Sequence, residues 1–355
     1  MSIYYNDKLF TKLVASGIKN KSIMLEANVC RLEDDSLFMS WTGGGDREPL
    51  EENMTFFSKS YDNGRTWEES TVLFSHPRKG MFTPELFNYN SKIFAFPCSY
   101  YNGSSFCQDC HSYISYSTDC GKTFSWPASI GNAINNIHVK GWLAVDDRII
   151  LSCSWIECTE ESWACFDGAN KKCIVAGKEL LPKNYKGLYH QEYCGTLISD
   201  DGGENWRICG KIGSKGVGLV EPAIVQLSDG TIVMLIRNAN DFQLYESRSY
   251  DLGETWSEAV PTDIPSAITK VSLAKDKNGV IYLLNNFTED CSRNPLSLWI
   301  STDDMKTWSK KIDLVWSDGG EMLAYPDAFV DEERKMLCFG WDDRKNIYYS
   351  EYPIE

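Results

Sequence analysis

Six positions in this 355-residue chain open short apolar runs: Glu26, Glu85, His138, Glu221, Lys270 and Tyr325, with Asp327 close behind the last. A second set lies in polar segments that follow a later run: Asp46, Arg47 and Glu48; Arg237; Arg293; and Asp342, Asp343 and Arg344. Carboxylates move protons and arginines grip planar anions, so such a set can do acid–base chemistry on an anionic or polar ligand. A structural role is open to each as well. Glu221 can cap a strand or pair with Lys270, and Tyr325 can pack under an aromatic lid. His138 can be a hydrogen-bonded wall residue, and Arg237 can neutralise its carboxylate neighbours. The distinction depends on whether the fold gathers these residues at one place.

The elements that position them are read from a repeated turn: Ser, any, Asp, any, Gly, any, Thr, aromatic. It occurs as SYDNGRTW (60–67), STDCGKTF (117–124), SDDGGENW (199–206), SYDLGETW (249–256) and STDDMKTW (301–308). The aspartate accepts backbone N–H bonds across the turn, glycine takes a backbone state costly for other residues, and the aromatic anchors the turn. Met305 stands where glycine is expected, which predicts a distorted fifth turn.

Before each turn come two short runs around a polar corner, clearest in EPAIVQLSDGTIVMLIR at 221–237. Six such pairs occur, the last ahead of RKNIYYSEY near the C-terminus. This pattern predicts an all-β fold: one six-bladed β-propeller of four-stranded antiparallel blades spanning residues 1–355, without a linker or second domain. The sixth blade lacks a strand, and the N-terminal YNDKLFTKLV is expected to supply it and close the ring. The long interval before the third turn predicts an insertion at about 156–195. In a four-stranded meander the aspartate turns share a face with the corners. The residues opening the first strands, with the loops after the second strands, converge on the opposite end of the axis. The turn aspartates are therefore structural.

Composition narrows the partners. Fifty acidic against 35 basic side chains give a formal charge of −15, which disfavours nucleic acid. No run is apolar enough to predict a membrane span. The start MSIYYNDKLFTKLVASG lacks the pattern of a secretory signal, so a cytoplasmic protein is expected. Thirteen cysteines then read as free thiols. The run Cys107-Gln-Asp-Cys110-His111 lacks a second Cys pair at finger spacing and is not assigned a metal. Asn53-Met-Thr, Asn102-Gly-Ser and Asn286-Phe-Thr fit the glycosylation pattern but read as chance.

The five turns resemble the Asp-boxes, or BNR repeats, of the sialidase (neuraminidase) superfamily, from about residue 25 to 350. The order after residue 220 is similar too. A glutamate opens the fourth blade (Glu221), an arginine ends its second strand (Arg237), a further arginine precedes the fifth turn (Arg293), and a tyrosine follows it (Tyr325). The resemblance implies a retaining exo-glycosidase in which Glu221 takes the proton of Tyr325, the phenolate attacks the anomeric carbon, and the two arginines hold the sugar carboxylate. A neutral phenol approaches such a substrate without the repulsion a carboxylate nucleophile meets. The acid that protonates the leaving oxygen is expected in GGGDREP, Asp46 first and Glu48 second.

The first blade departs from the family. Glu26-Ala27-Asn28 stands where an arginine and proline are usual, and Arg31 lies midway along the strand; Arg47 is the remaining cation nearby. That departure keeps a second glycosidase open, for a uronic acid or neutral sugar, with Glu221, Glu85 or Asp327 paired with Asp46. A noncatalytic carbohydrate-binding propeller is the alternative from another class. His138, Lys270 and Arg344 complete the expected ligand-binding set, the partner is a small carbohydrate, and none of these chemistries requires a cofactor.

Overall fold

The structure is a computed structural model that describes residues 2–18, 22–48, 50–100, 111–130, 137–158, 173–175, 178–180, 190–213 and 217–354. Six antiparallel sheets form the ring. Blade one comprises Met24–Arg31, Leu37–Gly43, Met54–Ser60 and Thr71–Phe74; blade two Gly80–Tyr89, Lys92–Tyr100, His111–Ser117 and Ala128–Ser129. Blade three comprises His138–Val145, Arg148–Cys158, His190–Ser199 and Arg207–Ile212; blade four Leu219–Gln226, Ile232–Asn238, Gln243–Ser249 and Val260–Pro265. Blade five comprises Ser272–Lys275, Ile281–Asn285, Leu296–Ser301 and Lys310–Ser317; blade six Ala324–Asp331, Met336–Asp342 and Asn346–Pro353.

The missing strand of blade six is Phe10–Ser16, paired with Asn346–Pro353 from Phe10↔Glu351 to Ser16↔Asn346. The N-terminus does more than close the ring. Ile3–Tyr5 adds a fifth strand to the outer edge of blade five, opposite Val315–Ser317. Adding it covers an edge that would otherwise be open to pairing.

The expected insertion begins later and ends earlier than 156–195. Backbone pairing in blade three continues through Ile156↔Glu192 to Cys158↔His190, so those ends belong to the sheet. Within the segment, Cys173–Val175 pairs with Lys178–Leu180. Cys107 and Cys110 lie outside the described residues. Among the described residues no cluster of His, Cys, Asp or Glu has a metal-binding arrangement, and no helix is long and apolar enough to cross a membrane.

Apolar residues fill the spaces between blades. Blades two and three share Phe87, Phe94, Ile149 and Leu151, and blades six and one share Met39, Trp41, Phe339's neighbour Cys338 and Tyr349. Each aspartate turn seals one such space by packing on the preceding blade. In the first turn, a Cβ on Gly64 (φ +78°) would lie 2.2 Å from the Tyr349 ring of blade six, so only glycine fits. The turn is held by its own side chains. Ser60 Oγ donates to Asp62 Oδ1 (2.9 Å) and accepts from the Gly64 N–H (2.8 Å), while Asp62 accepts from the Thr66 N–H (2.8 Å) and hydroxyl (2.6 Å).

The fifth turn is not distorted. Met305 takes φ 63°, its N–H still reaches Ser301 Oγ at 3.0 Å, and its side chain packs on the cluster containing Val233 and Leu235 of blade four. The thioether fills space that bulkier neighbours fill elsewhere, and that packing offsets the left-handed backbone.

The inner strands carry the feature that shapes the axis. Register shifts occur between Leu25 and Asn28, Phe82 and Glu85, Val139 and Gly141, Val220 and Ala223, and Ala324 and Asp327. Within three of these bulges Glu26 (φ 55°), Glu221 (φ 49°) and Tyr325 (φ 52°) are left-handed. A bulge re-aims a side chain and frees backbone groups. Here neighbouring blades take up those groups: Asp342 Oδ2 accepts the Glu26 N–H (2.9 Å), Asp327 Oδ2 the Val29 N–H (3.0 Å), and Ser272 Oγ the Ala328 N–H (3.0 Å).

If the aspartate turns are structural, Asp251→Ala removes bonds to Ser249, the Thr255 N–H and the Thr255 hydroxyl. Exposed hydrogen bonds of this kind are worth about 0.5–1.5 kcal/mol each at most. A thermal melt is expected to shift down by a few degrees while ligand binding at the opposite end is unchanged; an unshifted melt contradicts the sealing role.

Candidate active site

The three left-handed residues project into one cavity of about 240 Å³, whose walls include Glu26, Glu48, His138, Lys140, Glu192, Glu221, Arg237 and Tyr325. Residues as far apart in the chain as Glu26 and Tyr325 thus share a well at the end of the axis opposite the aspartate turns. A polar well of this kind is the default location for chemistry in a ring of sheets.

At its centre Arg237 Nη1 donates to Glu221 Oε2 at 2.5 Å, both largely buried. Burial alone would raise the Glu221 carboxyl, but the charges of Arg237 and Lys140 outweigh it and hold it well below the usual carboxylate range. Tyr325 is buried beside them, with the Arg293 guanidinium 4.7 Å from its ring centroid. Burial raises the phenol more than Arg293 and Arg237 lower it, so Tyr325 is neutral at neutral pH. Arg293 Nη2 donates to the Ile268 carbonyl at 2.9 Å. Among the described residues its Nη1 and the Nε of Arg237 are buried without a protein partner. Arg237 lines the well and Arg293 does not, so the second guanidinium reaches the site only beside the Tyr325 ring; the guanidinium geometry of the pair suits a planar anion.

Across the well, Glu26 and Lys140 form a buried ion pair, Nζ to Oε1 2.8 Å. Glu48 faces them. Burial is the main cause that pushes its carboxyl up, to about 7, and the charge of Glu26 adds to it while Arg344 and Lys140 oppose it. A carboxylic acid protonated near neutrality, next to ionised Glu221, has the pairing expected of a general acid and a base. Asp46, the first-named acid of the sequence pattern, is exposed and does not line the well, nor does Arg47. The tight Gly44–Gly45 turn (φ +94° and +73°) rotates the loop so that Glu48 points inward.

Other expected site residues are sorted by the bulges. Arg344 acts on Glu48 through its charge without lining the well. His138 lines it, edge-on to Phe82 at 5.0 Å. Glu85 and Asp327 do not: each lies just past a bulge and lines a second cavity farther down the axis. Lys270 is buried beside them, 3.4 Å from Asp327. The alternative that paired Glu85 or Asp327 with Asp46 is not supported by this geometry, because Glu85 and Asp327 line the lower cavity and Asp46 lines neither.

The chain matches the BNR repeat-like domain family over residues 35–337. It belongs to that family. It is 26% identical over 220 residues to a sialidase of Paraclostridium sordellii, a match covering 56% of this chain and 48% of that protein. Its propeller is similar to the Hadza microbial sialidase Hz136 (TM-score 0.73, 15% identity, 93% of this chain and 66% of that one). It is also similar to a Dyadobacter fermentans DSM 18053 protein of unknown function (TM-score 0.74, 16% identity, 99% and 100%). The chain therefore spans about half the length of the Paraclostridium relative, and at these identities the structural likeness is one of fold. The sialidase-superfamily reading of the repeats agrees with the BNR repeat-like match and with the Paraclostridium relative.

Two residues of this BNR propeller escape the sequence pattern. Lys140 sits two residues beyond His138, because the bulge in blade three moves the inward-facing position. Asn53, which reads as a chance sequon, is fully buried and clamps the loop that carries Glu48. Its Nδ2 donates to the carbonyls of Gly44 (2.5 Å) and Arg47 (3.1 Å), and its Oδ1 accepts from the Leu50 N–H (2.7 Å) and Tyr100 hydroxyl (2.5 Å). An asparagine closing a glycine-rich loop was the available signal.

Two tests address this geometry. Asn53→Ala is expected to speed tryptic cleavage after Arg47 about tenfold, the factor given by ~1.4 kcal/mol of easier local opening; an unchanged rate removes the clamp. For Glu48, the protonated form is present below its raised pKa and is lost as pH rises through about 7. Turnover is expected to decline above that pH, and Glu48→Gln to cost roughly 10²–10⁴-fold on substrates with poor leaving groups and far less on nitrophenyl glycosides. Equal losses on both would exclude it as the acid.

Proposed function

We propose that this protein is a glycoside hydrolase of sialidase type that removes a terminal acidic sugar. The observation that carries the reading is the axial well in which Tyr325, Arg237 and Glu221 face Glu48, with Arg293 set against the Tyr325 ring.

The resting ion pair supplies a trigger. Arg237 suppresses the basicity of Glu221 while the well is free of substrate. A substrate carboxylate bound by Arg237 and Arg293 draws the guanidinium charge to itself, and Glu221 regains the ability to accept the phenolic proton. The Tyr325 oxygen then bonds to the anomeric carbon as the glycosidic C–O bond breaks, and Glu48 gives its proton to the departing oxygen. Water, deprotonated by Glu48, attacks the same carbon in the second half. The Tyr325–sugar bond breaks and the phenol recovers its proton from Glu221.

A second reading is favoured by one observation. Glu26 and Lys140 occupy the first-blade side, where the family resemblance implies a third arginine. An ammonium paired with a carboxylate suits vicinal hydroxyls better than an anion. The carboxylated sugar would then be gripped on the Arg237–Arg293 side only, which admits uronic acids beside sialic acids.

A panel of chromogenic sialosides, uronides and neutral glycosides separates these. Hydrolysis of a carboxylated glycoside is expected, with Tyr325→Phe lowering it roughly 10³-fold or more. Arg237→Ala is expected to weaken carboxylated ligands about 10- to 100-fold more than their neutral analogues, as the loss of a charge-assisted bond predicts. Turnover of neutral glycosides alone, or full activity in Tyr325→Phe, overturns the proposal.

A further inference from the structure

The second axial cavity, also about 240 Å³, opens at the end where the aspartate turns lie. All six inner strands line it, and its mouth is ringed by Arg31, Asn88, Trp142, Ile224, Leu273 and Phe329. Nothing in the proposed hydrolysis uses it.

Three observations together describe a receptor. Trp142 is 36% exposed although it sits on an inner strand. Its ring is backed by Phe87, stacked at 4.7 Å and 20°, so the indole is a rigid wall presented to the cavity. Exposed indole surface is unfavourable in water and is relieved by an apolar ligand face. Deeper in the cavity stand three polar side chains, of which Glu85 and Lys140 are more than nine-tenths buried, with Asp327 between the blades. Burial, reinforced by Asp327, raises the Glu85 carboxyl so that it is a proton donor near neutrality. Asp327 already accepts from Val29 and pairs with Lys270, and Lys140 already holds Glu26. A carboxylate keeps further lone pairs and an ammonium further N–H donors, so with Glu85 the group matches hydroxyls that both give and accept hydrogen bonds. The charge is balanced: Lys270 neutralises Asp327 at 3.4 Å, and Arg31 at the mouth is committed to Asp331 at 2.7 Å. An acidic or cationic ligand gains little there, in contrast to the upper well, which Arg237 lines and whose Tyr325 has Arg293 against its ring.

We propose that this lower cavity is a second, noncatalytic binding site for a neutral pyranose, its apolar face on Trp142 and its hydroxyls toward Glu85, Asp327 and Lys140. The site is independent of the hydrolase reading, since it shares with the upper well only Lys140, which lies between the two. One hexose ring matches the volume, and the ring of blades excludes anything longer from entering fully.

The test is saturation-transfer NMR and titration of the full chain with methyl β-D-glucopyranoside, methyl β-D-galactopyranoside and methyl α-D-mannopyranoside. N-acetylneuraminic acid serves as competitor for the upper well. At least one neutral glycoside is expected to bind with a millimolar Kd. Its affinity is expected to fall tenfold or more in Trp142→Ala and in the near-isosteric Glu85→Gln, and to persist in Tyr325→Phe and in the presence of N-acetylneuraminic acid. Leu273→Trp, which narrows the mouth from another blade, is expected to block it without removing a polar partner. No binding of any of the three glycosides overturns the proposal. So does binding that survives both Trp142→Ala and Leu273→Trp, or that disappears in Tyr325→Phe.

Discussion

The hydrogen-bond ladder between Phe10–Ser16 and Asn346–Pro353 is the constraint on which this molecule depends. It turns a chain of sheets into a ring, and only a ring has an axis. With the ends paired, blade six is brought against blade one. Tyr349 then meets the first aspartate turn, and Asp342 receives the backbone of Glu26. Without that closure Tyr325 and Glu48 would lie at opposite ends of an open stack, and neither the burial nor the charges that set their protonation would exist.

Closure concentrates buried ionisable groups around the axis, and the structure manages the cost by pairing. Buried charges are tolerated when each has a partner. Glu26 has Lys140, Glu221 has Arg237, and Asp327 has Lys270. The groups left over are informative for the same reason. Among the described residues Glu48 and Glu85 have no dedicated cation, and they shift toward the protonated form. Arg293 keeps a donor without an acceptor. The proposed hydrolysis draws on both kinds of group, the acid Glu48 on one side and the Glu221–Arg237 pair on the other.

The ring count, its closure and the structural role of the turns were legible because each follows from local chemistry repeated along the chain. The Ser–Asp–Thr bonding of SYDNGRTW is complete within eight residues, so it survives reading in one dimension. Glu221, Arg237, Arg293 and Tyr325 were legible through their order, which the family resemblance made meaningful. The inward choice between Asp46 and Glu48 was not, since it turns on two glycine dihedrals and on Asn53, whose bonds to Gly44, Arg47, Leu50 and Tyr100 form only when two blades meet. Met305 shows the converse: a local rule broken without penalty, because blade four supplies packing that no local pattern records.

By itself the sequence determined the all-β class, the six repeats and the list of groups able to do chemistry, because strand alternation and turn bonding are short-range. The tertiary structure alone decided which of those groups meet. A bulge moves the inward-facing position along a strand, so Lys140 enters the well while Glu85 and Asp327 drop to the cavity beneath it. Protonation followed from the same step, since burial and the nearest charge come from different blades and act through space, where distance along the chain has no bearing.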